Sequence, residues 1–129
     1  MKTEDIGDAQ FETWTVDEVA RAWEAGEVVV IDVRTPQEYM LEHIEGALLA
    51  PMAHIKTTSL PAQDTKRIVL HCGSGMRSEK VGKQCLSEGL DAIIHMEGGF
   101  GAWKKAELPY IGTDAASGAP KRMGVSANS

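Results

Sequence analysis

Cysteine is scarce in this chain, with only Cys72 and Cys85 among 129 residues. Two cysteines are too few for a secreted disulfide scaffold or a four-cysteine zinc site. Positive charge is also in short supply: 13 Lys and Arg stand against 19 Asp and Glu, a formal net charge of −6. Nucleic-acid phosphates demand clustered cations, and outside Lys104–Lys105 and Lys121–Arg122 the basic residues are scattered, which argues against nucleic acid as a partner. No apolar run approaches the roughly 20 residues of a membrane helix, and the opening MKTEDIGDAQF lacks the cationic-then-apolar layout of a secretory signal. The expectation is a soluble, cytoplasmic protein with no membrane partner, in a reducing setting where a lone thiol serves chemistry more often than structure. Internal repeats are missing too. What remains is one domain's worth of sequence, long enough to bury about two thirds of the surface its unfolded chain exposes.

The pattern within that length alternates strands and helices. Thr15 and Glu18 form a capping-box pair, so a helix is expected from about 16 to 25, closed by Gly26. Val28-Val29-Val30-Ile31-Asp32-Val33 is a β-branched run suited to a strand buried on both faces. Thr35-Pro36-Gln37-Glu38 repeats the capping logic and starts a short helix to about Glu42. A brief strand at 46–51, strands at 67–71 and 92–96, a helix from Ser78 to about Glu88 and a short helix holding Trp103 complete the set. Alternation of this kind implies crossover connections, hence a three-layer α/β fold with a parallel sheet between helices. Residues 1–12 read as a flexible acidic lead-in, 13–111 as the folded domain, and 112–129, rich in Gly, Ala and Ser, as a disordered tail.

Chemistry concentrates in His71-Cys72-Gly73-Ser74-Gly75-Met76-Arg77-Ser78. Cys72 falls at the carboxyl end of a buried strand, where open α/β sheets keep their sites. Gly73 and Gly75 free the backbone so that successive N–H groups can converge on one anion, and Arg77 with the next helix start adds positive potential. Such surroundings lower a thiol's pKa from about 8.5 and turn it into a nucleophilic thiolate. Ser74 and Ser78 can donate hydroxyl hydrogen bonds to the sulfur, and Ser78 is equally placed to be a helix N-cap. No packing requirement explains glycines, an arginine and a helix start within six residues, so Cys72 is read as reactive rather than as a small core residue.

These segments together resemble the rhodanese homology family over about residues 12 to 110. Asp32-Val33-Arg34 with Glu38-Tyr39 and His43-Ile44-Glu45-Gly46-Ala47 is similar to its first signature, Cys72 through Ser78 to its active-site loop, and Gly98-Gly99-Phe100 with Trp103 to its closing segment. The resemblance implies a parallel sheet of about five strands and a cysteine that carries sulfane sulfur as a persulfide. It implies sulfurtransferase activity of the thiosulfate type, with small sulfur donors, a cyanide or thiol acceptor, and a protein donor or acceptor as a further partner class. The backbone of Gly73, Ser74, Gly75, Met76 and Arg77, helped by the Arg77 side chain, would hold the persulfide, and neither a metal nor an organic cofactor is required. A persulfide carrier or regulatory module with little small-molecule turnover is the alternative. Cysteine phosphatases share the His-Cys start and terminal arginine, but their loops place five residues where this chain has four, and a phosphomonoesterase also needs a general acid.

The remaining polar residues have structural readings. Asp32 and Arg34 fit a supporting ion pair near the pocket, with Arg34 as a secondary contact for an anionic donor. His43 reads as a hydrogen bonder within the fold, and His71, next to Cys72 in a strand, should point to the opposite face. Cys85 lies seven helical residues past Ser78, roughly 10.5 Å along the axis. That is too far for a disulfide with Cys72, so Cys85 reads as core, as do Trp103, Phe100, Trp14 and Trp23.

Overall fold

The computed structural model describes residues 1–124. Five parallel strands form its centre: β2 (Ala9–Trp14), β3 (Val28–Asp32), β4 (Leu48–Leu49), β5 (Arg67–His71) and β6 (Ala92–Met96). With β1 (Lys2–Ile6) added antiparallel at one edge, the sheet order is β1-β2-β6-β5-β3-β4. Helices α1 (Val16–Glu24), α2 (Pro36–Leu41), α3 (Met76–Ser87) and α4 (Gly99–Lys105) complete the mixed α/β fold, with α1 and α4 packed on one face of the sheet and α3 on the other. No described helix is long and apolar enough to cross a membrane.

Strand alternation divides the core in two. Val28, Val30, Val69, Ile94 and Met96 face α1 and α4, where Trp23 meets Trp103 edge-on with centroids 5.7 Å apart. Ile31, Ile68, Leu70 and Ile93 face α3 together with Val81, Cys85 and Leu86. Both expected capping boxes form. The Thr15 hydroxyl accepts from the Glu18 N–H at 3.2 Å, and the Thr35 hydroxyl from that of Glu38 at 3.2 Å, with Pro36 in the first helical turn.

Two stretches read as flexible are ordered strands. Residues 2–14 form a hairpin turned at Gly7, and β2 adds to the sheet in parallel register with β6, pairing Phe11 with Ile93 and Trp14 with Met96. This is the fifth parallel strand. It is held by backbone pairing and few buried side chains: Phe11 enters the core, while Glu12 is neutralised by Arg67 and accepts from the Trp14 indole at 3.3 Å. At the other end β7 (Tyr110–Thr113) pairs with β8 (Pro120–Met123) in a separate antiparallel ribbon. The ribbon is anchored by reciprocal backbone bonds between His43 and Ile111 at 2.9 and 2.7 Å, and by Arg122 on Glu45 at 3.0 Å. The last five residues of the expected tail, 125–129, lie outside the described residues.

Candidate active site

β5 ends at His71, and Cys72 continues the alternation of Ile68 and Leu70 toward α3. Its residue has no exposed surface, and its sulfur accepts two backbone hydrogen bonds, from Gly75 N–H at 3.0 Å and Ser78 N–H at 3.4 Å. Burial pushes the thiol up, but the N–H groups of Ser78, Gly75 and Ser74 and the Ser78 hydroxyl together outweigh it and hold the pKa below its ordinary value. Gly75 makes the turn possible: its φ of 107° is one that L side chains rarely adopt, and an added Cβ would come within 3.3 Å of the Gly98 nitrogen.

The loop's carbonyls are directed elsewhere. Phe100 N–H donates to Cys72 O at 2.7 Å and Gly101 N–H to Gly73 O at 3.1 Å, so the start of α4 takes up the acceptors that would otherwise repel a thiolate. This contact needs glycine at 99, where φ is 60° and a Cβ would sit 2.4 Å from Cys72 O and 2.6 Å from Gly73 C.

One expectation about the loop changes. Helix α3 begins at Met76 with Gly75 as N-cap, so Ser78 sits within the first turn and is not the cap. The Arg77 guanidinium is shared with Glu38, in a two-pronged pair with Nη1 to Oε1 at 2.8 Å and Nη2 to Oε2 at 3.0 Å. That pair holds the Glu38 carboxyl down to about 2. Met76 leaves its side chain in solvent.

Asp32 and Arg34 are brought together as a buried structural pair. The Arg34 Nη2 is 2.8 Å from Asp32 Oδ2 and donates to Glu42 O at 2.6 Å, and its guanidinium lies 4.6 Å from the Phe100 ring centroid. Those contacts commit the guanidinium to the fold. His71 is fully buried, tilted against Phe100, with Nδ1 3.3 Å from Cys72 O, and burial is the main force lowering its pKa. His43 stacks on Tyr39 and contacts its carbonyl through Nδ1 at 2.8 Å. Cys85 is 3% exposed, among the α3 core residues.

Sequence reasoning passed over His95. It shares the α3-facing parity of Ile93 on β6, and its Nδ1 lies 2.8 Å from the Ser78 hydroxyl. Counting alternate residues along β6 to the strand's carboxyl end would have flagged it.

The model of the rhodanese-like domain matches residues 15–106. An uncharacterized protein of Synechocystis sp. is 42% identical over 86 residues, covering 67% of this chain and 48% of the relative, so the chain spans about half the length of that curated relative. A solved structure from Rhodopseudomonas palustris, a protein of unknown function described as a possible tyrosine phosphatase, is 29% identical with a TM-score of 0.65, over 77% of this chain and 83% of that one. Thiosulfate sulfurtransferase from Pseudomonas aeruginosa superposes with a TM-score of 0.69 at 22% identity, over 78% of this chain and 20% of that one, a likeness of fold alone.

Proposed function

Because the chain belongs to the rhodanese-like domain family, we propose that it moves sulfane sulfur through a persulfide on Cys72. The observation that carries this reading is the convergence of the Gly75 and Ser78 N–H groups on the Cys72 sulfur, with the Cys72 and Gly73 carbonyls drawn off to α4. In the first step the Cys72 thiolate attacks the outer sulfur of a donor such as thiosulfate. A new S–S bond forms, the donor's S–S bond breaks, and sulfite leaves with the electron pair. Backbone donors from Gly73 to Ser78 hold the persulfide. In the second step a thiolate or cyanide attacks the outer sulfur, and the electron pair of the broken bond returns to Cys72. The cycle uses no metal, organic cofactor or external oxidant. Asp32 and Arg34 support the loop's surroundings from within the fold.

The ion pair of Arg77 with Glu38 favours a second reading, a persulfide carrier that exchanges sulfur with partner proteins and turns over small donors slowly. A small anionic donor must compete with Glu38 for the only arginine in the loop. Both readings place sulfur on Cys72, and turnover with small acceptors separates them. A phosphatase reading fares worse. Beyond the short loop, Glu38, the carboxylate beside Arg77, is held at about 2 and cannot serve as a general acid near neutral pH.

Incubation with thiosulfate and cyanide tests the proposal: thiocyanate is expected from the wild-type protein and none above background from Cys72→Ser. A fully active serine variant would overturn the assignment. Intact-mass measurement after exposure to donor alone should show one added sulfur on Cys72, and an added sulfur without thiocyanate formation selects the carrier reading.

A further inference from the structure

Ser78 and His95 form a buried pair behind the sulfur loop. Ser78 has no exposed surface and His95 retains 5%. The Ser78 hydroxyl lies 2.8 Å from His95 Nδ1 and 3.2 Å from the carbonyl oxygen of Gly75 and also acts on the Cys72 sulfur, and with one proton it donates to one acceptor at a time. The backbone N–H of the same serine is one of the two donors on the Cys72 sulfur. The imidazole is clamped. Its ring stacks on Phe11 with centroids 5.4 Å apart, and Phe11 is itself wedged against Gly82, where a Cβ would lie 2.7 Å from the phenyl ring. His95 also lines a cleft of about 390 Å³ with Lys2, Thr13, Glu79 and Glu97.

We propose that His95 is a positioning residue: by holding the Ser78 hydroxyl it keeps the first turn of α3, and the Ser78 N–H, aimed at the Cys72 sulfur, and it passes the protonation state of the cleft on to that sulfur. With Nδ1 unprotonated, the Ser78 hydroxyl donates to it at the shorter of the two distances. Protonation makes Nδ1 a donor, turns the hydroxyl proton toward the Gly75 carbonyl, and puts a positive charge one hydrogen bond from a residue that holds the sulfur. The charged groups facing the ring or its cleft are Glu79 and Lys83 on α3, Glu97 just after β6 and Lys2 on β1. Burial disfavours the imidazolium most strongly, the two carboxylates oppose that effect and Lys83 adds to it, so the ring is held below its ordinary pKa and is neutral at pH 7. The inference takes from the proposed function only that Cys72 is the working atom.

The test follows the rate of Cys72 alkylation by iodoacetamide against pH, with the modified residue located by peptide mass mapping. His95→Phe should raise the apparent thiol pKa by about one unit, an approximately tenfold slower reaction at pH values below it. His95→Asn offers the Ser78 hydroxyl a side-chain carbonyl instead of Nδ1 and should restore the rate to within about threefold, while losing the acid-limb inflection of the wild type. Ser78→Ala combined with His95→Phe should be no slower than the worse single variant, because the two act through one contact. A folded His95→Phe variant with the wild-type profile, or additive losses in the double variant, overturns the proposal. If His95→Phe does not fold, His95→Asn decides: loss of the acid inflection supports the proposal and its retention overturns it. Thiol reactivity is read without turnover, so failure here is distinguishable from failure of the sulfur-transfer reading, which would appear as a wild-type protein that forms neither persulfide nor thiocyanate.

Discussion

Cys72 and Cys85 are both buried, at 0% and 3% exposure, on the same side of the sheet, and their thiols are pushed in opposite directions. At Cys72 burial is outweighed by backbone donors from Ser78, Gly75 and Ser74. At Cys85 burial prevails: a contact from Thr57 is too weak to reverse it and Glu88 adds to it, so the thiol is raised. Depth therefore does not decide the direction of the shift. Cys72 follows a strand and meets the free N–H groups of a helix start, whereas Cys85 sits within α3, where the N–H groups are already used in the helix.

The most damaging way to break this contrast is Gly99→Ala. The new methyl would fall on the Cys72 and Gly73 backbone in a left-handed conformation, costing about 3 kcal/mol by urea unfolding and bringing the two thiols' reactivities together. Glu38→Gln should sharpen it instead. Removing the carboxylate leaves Arg77 uncompensated near Cys72, which lowers the thiol further and should raise kcat/KM for thiosulfate about threefold, an effect that disappears at high salt. The same pair sets a stability window. Glu38 is depressed from 4.5 to about 2, so its contribution is complete above pH 4.5 and is lost as pH falls toward 2. The pair is over a third exposed on both sides, which limits that contribution to about 1 kcal/mol, measurable as the difference between wild-type and Glu38→Gln unfolding at pH 6 and pH 2.5. The smallest effect belongs to Cys85→Ala, expected to cost about 1 kcal/mol of stability by cavity formation and to leave thiocyanate production unchanged.

The central strands were legible because Val28–Asp32, Arg67–His71 and Ala92–Met96 are apolar on both faces, and the helix starts because Thr15-Glu18 and Thr35-Glu38 are local devices whose partners lie three residues apart. Alternation also placed His71 away from the thiol side correctly. What escaped notice depends on distant partners. β1 carries almost no buried side chain, and β2 joins the sheet by pairing with a strand about 80 residues later, which leaves no periodic trace in its own sequence. The β7–β8 ribbon is held by its own backbone and by His43, on a different part of the chain. The pairing of Arg77 with Glu38, 39 residues earlier, is likewise a distant contact that no local pattern announces. His95 is hidden by its partner Ser78, whose hydroxyl has two nearer readings in the sequence, the sulfur and a helix cap.

The parallel strand β2 also bears on where this protein can be cut. The match to the family begins at residue 15, but the sheet begins earlier, and Phe11 on β2 forms one wall against which His95 rests. A fragment started at the family boundary would leave β6 as an open edge beside the thiol loop, with its N–H and C=O groups free to template another chain. Such a fragment should associate through that edge and show increased size on gel filtration. The sheet of this protein starts with the hairpin, ahead of the residues by which its family is recognised.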